Sequence, residues 1–382
     1  MIRKVLPCLA LLVASLCRAQ NLTDADLAGF RHLIASGDRT RVAEKADALL
    51  ARAADQPDAL LLLGQLLGGT GHLERAERAF SRAAVLVPES FPAHFNLGLT
   101  LYREQKFAEA AASLGRAAAL DARSFEAHYL RGASLARTPE KMDAIRALRQ
   151  AIALRPQHSQ ALALLGTLYL ETRYPLDAAD TLEQAARLNP SDAKLGLLLA
   201  EAQHASFEFD KALATAQELV ARLPSSADVW FRSAYELETA GRFDDAEHAL
   251  EKALALNPKH VPSQLALGRL QMRGGRIAEA LQRFEAVVGS SPQNREARLE
   301  LAKALLAQNE TSRAIPVLLA LAREAPTDPI PHVLLTQAYR AAGDAQASAL
   351  ERARYLELSR SRNEAGGMSG ALSASKPRRF QP

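Results

Sequence analysis

The sequence predicts an all-α solenoid of about ten helical hairpins, each 34 residues long. Two sets of residues repeat with that period. Prolines recur in one register that is interrupted only by Ala122, namely Pro88, Pro156, Pro190, Pro224, Pro258, Pro292 and Pro326. Alanines recur at a second position of the same register, namely Ala76, Ala110, Ala144, Ala178, Ala212, Ala246, Ala280 and Ala314. No insertion or deletion breaks this register from residue 57 onward, so one structural unit is repeated along the chain.

The start of the chain has the pattern of a secretory signal peptide. A basic pair precedes an apolar run from Val5 to Leu16, which is too short to cross a bilayer as a mature helix. Small residues, Cys17 and Ala19, follow at the positions that a signal peptidase recognises. We therefore expect residues 1–19 to be a signal peptide. A lipoprotein anchored through Cys17 is the less favoured alternative, because lipoprotein processing prefers a small residue where Leu16 stands.

Composition limits the chemistry and the partners of the mature chain. Both cysteines, Cys8 and Cys17, lie in the segment that we expect to be removed, which leaves no disulfide and no thiolate metal site. Export without cysteine, together with many Ala, Leu and Arg residues, favours a bacterial periplasm. The net charge of +4 comes from residues 1–19 and 360–382, so the repeats between them offer no general basic surface. Nucleic-acid binding is therefore not expected.

Each repeat is predicted to be a pair of helices. Nine copies align when position 1 is set at Pro57, Phe91, Phe125, Ser159, Ala193, Ala227, Val261, Arg295 and Pro329, and a weaker copy starts at Thr23. Positions 4, 7, 8 and 11 share one face of a first helix, and positions 20, 24, 27 and 28 share one face of a second. Small residues at positions 8 and 20 allow the two backbones to approach closely. Glycines at position 15, such as Gly71 and Gly241, suit the turn, and proline at position 32 ends the second helix.

This pattern resembles the tetratricopeptide-repeat family, which places Gly or Ala at position 8, Ala at positions 20 and 27, and Pro at position 32. The copy that starts at residue 57 matches through Leu60, Leu63, Gly64, Leu67, Ala76, Phe80, Ala83 and Pro88. The resemblance implies a right-handed superhelix whose inner groove is lined by the first helices. The expected organisation is a signal peptide at 1–19, a degenerate capping repeat at 20–56, nine repeats at 57–362 and a disordered basic tail at 363–382.

The same resemblance implies where a partner is bound, because positions 2, 5, 9 and 12 of the first helices point into the groove in that family. Position 5 is apolar in every copy. The residues that we expect to contact a partner are Phe95, Leu99, Tyr102, Tyr129, Leu197, Phe231, Tyr235, Leu265, Arg269 and Lys303. The alternative is that position 5 completes the core between repeats. That alternative is favoured for the aliphatic members, whereas the two interpretations are balanced for the aromatic ones.

Motifs that would indicate an enzyme are missing from the sequence. It contains neither a phosphate-binding glycine loop nor an HExxH zinc helix. His94 and His128 share position 4 in successive copies, where a hydrogen-bonded interface histidine is far more common than a metal ligand. We therefore expect no enzymatic activity, no cofactor and no metal, and no membrane span in the mature chain.

The function predicted from the sequence is that of a non-catalytic scaffold or adaptor. Its groove would bind peptide segments of other proteins during cell-envelope assembly or secretion. The alternative is an accessory subunit of a system that exports or synthesises exopolysaccharide or a cell-wall polymer. The basic residues near the C-terminus, from Lys376 to Arg379, could contact anionic envelope components weakly, although an inert tail is the favoured interpretation.

Overall fold

A computed structural model of the chain describes residues 22–367 together with Pro377, Arg379 and Phe380. The predicted signal peptide, including both cysteines, lies outside these residues. The described residues form twenty α-helices and no strand. Consecutive helices pair as antiparallel hairpins, so the fold is an all-α repeat solenoid, as predicted. The helices divide between two compact units, which meet in the sequence at Thr172 and Arg173.

The first unit contains nine helices within its described residues. These are α1 Asp24–Ala35, α2 Arg39–Arg52, α3 Pro57–Gly69, α4 Leu73–Leu86, α5 Phe91–Arg103, α6 Phe107–Leu120, α7 Phe125–Leu135, α8 Lys141–Leu154 and α9 Ser159–Glu171. Each odd-numbered helix is the first helix of a repeat. Packing is between sequence neighbours, and successive first helices such as α3 and α5 also touch.

The second unit repeats the same arrangement over its eleven described helices. These are α10 Pro175–Leu188, α11 Ala193–Ala205, α12 Phe209–Arg222, α13 Ala227–Thr239, α14 Phe243–Leu256, α15 Val261–Arg273, α16 Ile277–Ser290, α17 Arg295–Ala307, α18 Thr311–Glu324, α19 Pro329–Ala341 and α20 Ala345–Gly367. Here too, each helix packs on its sequence neighbours.

The helix boundaries follow the 34-residue register because the residues that cap the helices recur in the same register. Every position-1 residue of the nine regular copies is the first residue of a helix, as predicted. Position 34, just before it, usually caps that helix: the side chains of Ser90, Ser124, Ser226 and Asn294 accept hydrogen bonds from the backbone N–H three residues on. In every copy before the last, the second helix ends at position 30, two residues before the position where proline recurs.

The turn inside each hairpin needs a left-handed residue at position 15. Gly71 adopts φ of 83°, which glycine tolerates without cost. In four copies a residue with a side chain adopts the same conformation, with φ between 61° and 65° at Gln105, Arg173, Phe207 and Asn309. Pro139 occupies position 15 of one copy and cannot take a positive φ, and α7 accordingly ends two residues earlier than the other regular first helices, at Leu135.

Close helix crossings form the core, as the small residues at position 8 predict. Leu114 of α6 is fully buried against the backbone of Gly98 in α5. An added Cβ at Gly98 would lie 2.5 Å from Leu114 Cγ and 3.1 Å from the backbone nitrogen of the same residue. Since the backbone nitrogen cannot move away as a side chain can, this crossing has no room for a methyl group.

Replacement of Gly98 by alanine is therefore expected to destabilise the first unit by about 1–3 kcal/mol, because the methyl group overpacks the crossing. The matched control is Gly29→Ala in α1, where nothing lies within 4 Å of an added Cβ. That change should stabilise the helix by roughly 0.5–1 kcal/mol through its higher helix propensity. Urea denaturation of both variants measures the two effects, and effects of the same sign would contradict this account of the crossing.

Polar side chains at position 4 link successive repeats. His94 Nε2 donates to the carbonyl oxygen of Pro88 at 2.9 Å, and His128 Nε2 donates to that of Ala122 at 3.2 Å. Trp230 Nε1 donates to the carbonyl oxygen of Pro224 in the same way, at 2.8 Å. These bonds satisfy carbonyl groups near the end of the preceding repeat, so His94 and His128 have a role in capping.

The structure adds detail at both ends of the array. Thr23, where the weaker first copy was aligned, is the N-cap of α1. The last helix, α20, continues to Gly367, beyond the predicted end of the array at residue 362. Arg379 and Phe380, which were assigned to a disordered tail, contact α10. Residues 368–376 of that predicted tail lie outside the described residues.

Candidate binding surfaces

Four residues predicted to contact a partner lie on α5 and α7 of the first unit: Phe95, Leu99, Tyr102 and Tyr129. All four are half-buried. Phe95 stacks on Phe91 with ring centroids 5.4 Å apart and planes 13° apart. Tyr129 stacks on Phe125 in the same way, at 5.6 Å and 7°. Each position-5 ring thus rests on the position-1 ring of its own helix and presents only part of its surface to solvent.

The surroundings of Tyr129 also affect the pKa of its phenol group. Burial raises the pKa of the Tyr129 phenol, and the neighbouring Tyr102 adds a smaller effect in the same direction. Tyr102 meets the Phe107 ring edge-on at 5.7 Å. The aromatic members of this set are therefore packed partly against neighbouring rings and partly exposed to solvent.

Three of the predicted residues of the second unit come together around one cavity. Phe231 and Tyr235 of α13 and Arg269 of α15 line a space of about 360 Å³. The remaining lining residues are Ala234, Glu238, Thr239, Leu250, Ala266 and Arg273. This cavity lies between the successive first helices α13 and α15. We call it the α13–α15 pocket.

The other predicted residues of this unit have different environments. Leu265 is only 2% exposed and packs in the core against Phe284 and Leu301, so its assignment to a binding surface is corrected. Leu197 is half-buried. Lys303 forms an ion pair with Glu300 of its own helix at 3.1 Å.

The Arg269 side chain is partly exposed, although it forms an ion pair. Its guanidinium forms an ion pair with Glu296 of α17 at 2.8 Å, and its side chain is 40% exposed. Ion pairs with this exposure contribute little stability and are easily exchanged for another anionic partner. Arg269 therefore supplies a positively charged rim to the α13–α15 pocket.

An exposed group of rings beside Tyr235 was not predicted from the sequence. It consists of His204, Phe207, Phe209 and Tyr235, and we call it the aromatic surface. The His204 ring lies 5.0 Å from Phe209 and 4.9 Å from Tyr235, and Phe207 lies 6.0 Å from Phe209. Phe207, Phe209 and Tyr235 are 62%, 41% and 42% exposed. Neighbouring exposed aromatic rings are typical of protein-interaction sites.

Phe207 combines a left-handed backbone with an exposed ring. The residue takes φ of 65° at the turn between α11 and α12, where four of the other regular copies have glycine. A left-handed conformation costs a residue with a side chain roughly 1–2 kcal/mol. Because the ring is also mostly exposed, neither the backbone nor the packing of this repeat gains from phenylalanine at this position.

A buried charged network lies directly under the aromatic surface. Glu236 of α13 is 1% exposed and accepts a hydrogen bond from His204 Nδ1 at 2.9 Å. Its other carboxylate oxygen lies 2.8 Å from the Arg232 guanidinium, one helical turn away, without the alignment of a hydrogen bond. In the neutral imidazole, the Nδ1–H bond to Glu236 leaves Nε2 to accept the hydroxyl of Tyr235 at 3.3 Å. Glu236 thereby orients two rings of the aromatic surface.

Neither a metal site nor a membrane span stands out in the part of the chain that the structure describes. No three metal-ligating side chains cluster within it. None of its helices combines the length and the apolar character needed to cross a bilayer.

Comparison with protein families identifies the repeats. A family model described as tetratricopeptide repeat matches residues 61–127, 95–157, 140–193, 164–227 and 265–329, and a second model with the same description matches residues 237–288. Together these matches cover more than half of the chain. The chain belongs to the tetratricopeptide-repeat family. Repeats of this family generally serve as scaffolds for protein–protein interaction, and the fold of the chain indicates that general role.

The chain is also similar to several solved structures. The C-terminal part of a tetratricopeptide-repeat protein from Cytophaga hutchinsonii is 14% identical, with a TM-score of 0.53, and the match covers 63% of this chain and 99% of that one. YrrB, whose crystal structure is described as that of a tetratricopeptide-repeat protein with an unusual peptide-binding site, is 20% identical over 50% of this chain and 98% of its own, with a TM-score of 0.45. Pseudomonas aeruginosa pilF is 22% identical over 55% and 95%, with a TM-score of 0.41. No curated protein matches the chain.

Proposed function

We propose that this tetratricopeptide-repeat protein is a non-catalytic adaptor that binds segments of partner proteins through the aromatic surface and the adjoining α13–α15 pocket. The observation that carries the proposal is the exposed Phe207 ring, which stands at a left-handed position where glycine would fit better. A residue that costs stability and packs poorly is best explained by a contact with something outside the chain.

The two surfaces share Tyr235, so one bound segment can reach both. Aromatic rings on one side supply apolar contact area, and Arg269 and Glu238 beside the pocket supply charges of both signs. Such an arrangement suits a short segment that has an apolar side chain next to polar or charged ones. Tyr129 and Phe95 of the first unit are candidates for additional contacts of the same kind.

We also propose that the mature protein works in the cell envelope, in assembly or secretion. The support is the basic and apolar start of the sequence, which has the form of a signal peptide. Fractionation of cells that express the full chain tests this location, and recovery of the uncleaved protein from the cytoplasm would contradict it.

Replacement of Phe207 by glycine separates binding from stability. The variant should gain about 1 kcal/mol of folding stability, because the left-handed strain is relieved and no packed ring is lost. Loss of an aromatic anchor should at the same time weaken partner binding by about 30-fold, as for a typical interface hot spot. Photo-crosslinking in native envelopes, followed by mass spectrometry, would identify the partner, and titration of that partner would give the affinities.

The matched control is Gln105→Gly, which removes a side chain from the same left-handed position in another repeat. It should raise stability by a similar amount and leave the affinity for the partner unchanged. If both glycine variants bind the partner as well as the original protein, the aromatic surface is not the binding site. If the captured ligand is an envelope polymer rather than a protein, the alternative accessory role in polymer export or synthesis takes the place of this proposal.

A further inference from the structure

A second, smaller surface of the second unit lies at the first turn of α10, and residues from the end of the chain are docked on it. The ring of Phe380 meets that of Tyr174 edge-on, with centroids 5.3 Å apart and planes 82° apart. The backbone N–H of Phe380 donates to Asp177 Oδ2 at 2.6 Å. The guanidinium of Arg379 donates to Asp180 Oδ2 at 2.6 Å. Three different kinds of contact thus hold two consecutive residues.

We propose that the first turn of α10 is a recognition site for basic–aromatic peptide segments and that the C-terminal Arg379–Phe380 pair of this chain is its intramolecular ligand. The proposal assigns to the tail a role as an internal competitor. A partner segment with an arginine before an aromatic residue would have to displace the tail in order to bind at this site.

The residues of this site are special to one repeat. Tyr174 occupies position 16, which holds His, Lys, Glu, Arg or Asp in the other eight regular copies. Asp180 occupies position 22, where no other regular copy has an acidic residue. Asp177 and Asp180 are three residues apart and therefore lie on the same face of α10. The combination of one ring and two carboxylates on that face is not a by-product of the repeat pattern.

Each contact selects a different feature of the ligand. The Tyr174 ring selects an aromatic side chain, because an edge-on pair of rings is the geometry that their charge distribution favours. Asp180 selects a cation one residue earlier, and its hydrogen bond raises the pKa of the Arg379 guanidinium. Asp177 fixes the direction of the bound chain through the backbone N–H of Phe380. The order Arg–aromatic is therefore specified.

The weakness of the individual contacts explains why the ligand is supplied by the same chain. The side chains of Arg379 and Asp180 are 58% and 56% exposed, and an ion pair with that exposure contributes little. A short connection to the array raises the effective concentration of the tail to the order of millimolar. Weak contacts then suffice for docking within one molecule, and a partner can still compete.

A charge beside the proposed partner surface also acts on this site. Glu208, which stands between Phe207 and Phe209 in the sequence, adds a small electrostatic contribution to the raised pKa of the Arg379 guanidinium. The contacts described for the docked tail are made with Tyr174, Asp177 and Asp180. The recognition site does not depend on the proposed adaptor function, because all of its contacts are within the chain.

A charge-exchange experiment tests the docking. The full-length protein would carry 4-fluorophenylalanine at position 380, and its fluorine resonance would report whether the ring is against Tyr174 or free. Asp180→Lys or Arg379→Glu alone should move the resonance to the position of the free peptide, and the two together should restore the docked position. The control Asp210→Lys, an equal change of charge at an exposed position of α12, should leave the docked resonance in place. A fluorine resonance that stays at the docked position in the Asp180→Lys variant would overturn the proposal.

Competition then tests recognition. The probe is a labelled synthetic peptide with the sequence of residues 376–382. It should bind the full-length Arg379→Glu, Phe380→Ala variant at least about tenfold more tightly than the original protein, whose own tail occupies the site. Adding Tyr174→Ala to that variant should abolish the binding. Equal affinity of the peptide for the original protein and for the tail variant would overturn the proposal. Docking that appears only at concentrations where sedimentation shows a dimer would also overturn it, because the docked tail would then belong to a second copy of the chain.

Discussion

Replacement of Phe284 by alanine is expected to destabilise the second unit by about 3–5 kcal/mol. Phe284 of α16 is fully buried. Its ring lies against the bare backbone of Gly268 in α15, where an added Cβ would be 2.5 Å from Phe284 Cε1. Loss of the ring leaves a cavity that two rigid helices cannot close. Urea denaturation measures the loss, and hydrogen exchange of α15 and α16 peptides shows where it acts.

Two further variants test whether the close approach of the Phe284 ring to Gly268 determines the stability of this crossing. Gly268→Ala alone should cost about 1–3 kcal/mol, because its methyl group would collide with the ring. In the Phe284→Ala background that cost should disappear, so the two changes should be strongly non-additive. The control Phe209→Ala removes the same side chain from a 41% exposed site and should change stability far less. Additive effects of Gly268→Ala and Phe284→Ala would contradict the account.

Pairs such as Gly268 and Phe284 explain why so much of the fold could be predicted. Position 8 of one helix faces position 24 of the next in four copies, at Gly64 and Phe80, Gly98 and Leu114, Gly132 and Leu148, and Gly268 and Phe284, so a small residue in the first helix predicts room for a large one in the second. The capping residue at position 34 and the proline at position 32 are equally local. Helix boundaries that depend on local signals could therefore be identified residue by residue. Among the nine regular copies, α7 is the one first helix that is shortened, and Pro139 lies at its turn.

The candidate site was less predictable, because exposure depends on how far neighbouring repeats cover each helix. Leu265 and Phe231 both occupy position 5, yet Leu265 is buried in the core and Phe231 lines the α13–α15 pocket. The pattern of one repeat cannot distinguish these outcomes. A signal for Phe207 was nevertheless present, since it stands at position 15, where several copies have glycine. A large residue in place of a turn glycine could have been recognised as a candidate for function.

The docked tail shows a different limit of sequence analysis. Composition alone predicts that a segment rich in Gly, Ser and Ala is disordered. An inference from composition does not take account of individual residues such as Arg379 and Phe380. Their partners on α10 are about two hundred positions away in the sequence, so no local pattern indicates the contact. The helix that carries those partners could be predicted, but the contact could not.

Replacement of Glu236 by alanine is expected to cost about 3–5 kcal/mol, because it leaves a largely buried guanidinium without its counter-charge. The Arg232 side chain is 16% exposed, and Glu236 is the anion beside it. The loss should be visible as a lower urea midpoint. The surface pair of Glu218 and Arg222, whose side chains are 59% and 49% exposed, provides the control, and Glu218→Ala should change stability by only about 0–1 kcal/mol.

The same residue links stability to the proposed binding surface, so a second variant separates the two roles. Arg232→Met with Glu236→Leu removes both charges and should restore most of the stability that Glu236→Ala loses, since apolar residues can replace a buried ion pair at little cost. His204 would still lack its Nδ1 acceptor, and its ring would no longer be held between Phe209 and Tyr235. Partner affinity should therefore remain reduced although the fold is recovered. Full recovery of affinity in the double variant would show that Glu236 serves the core alone.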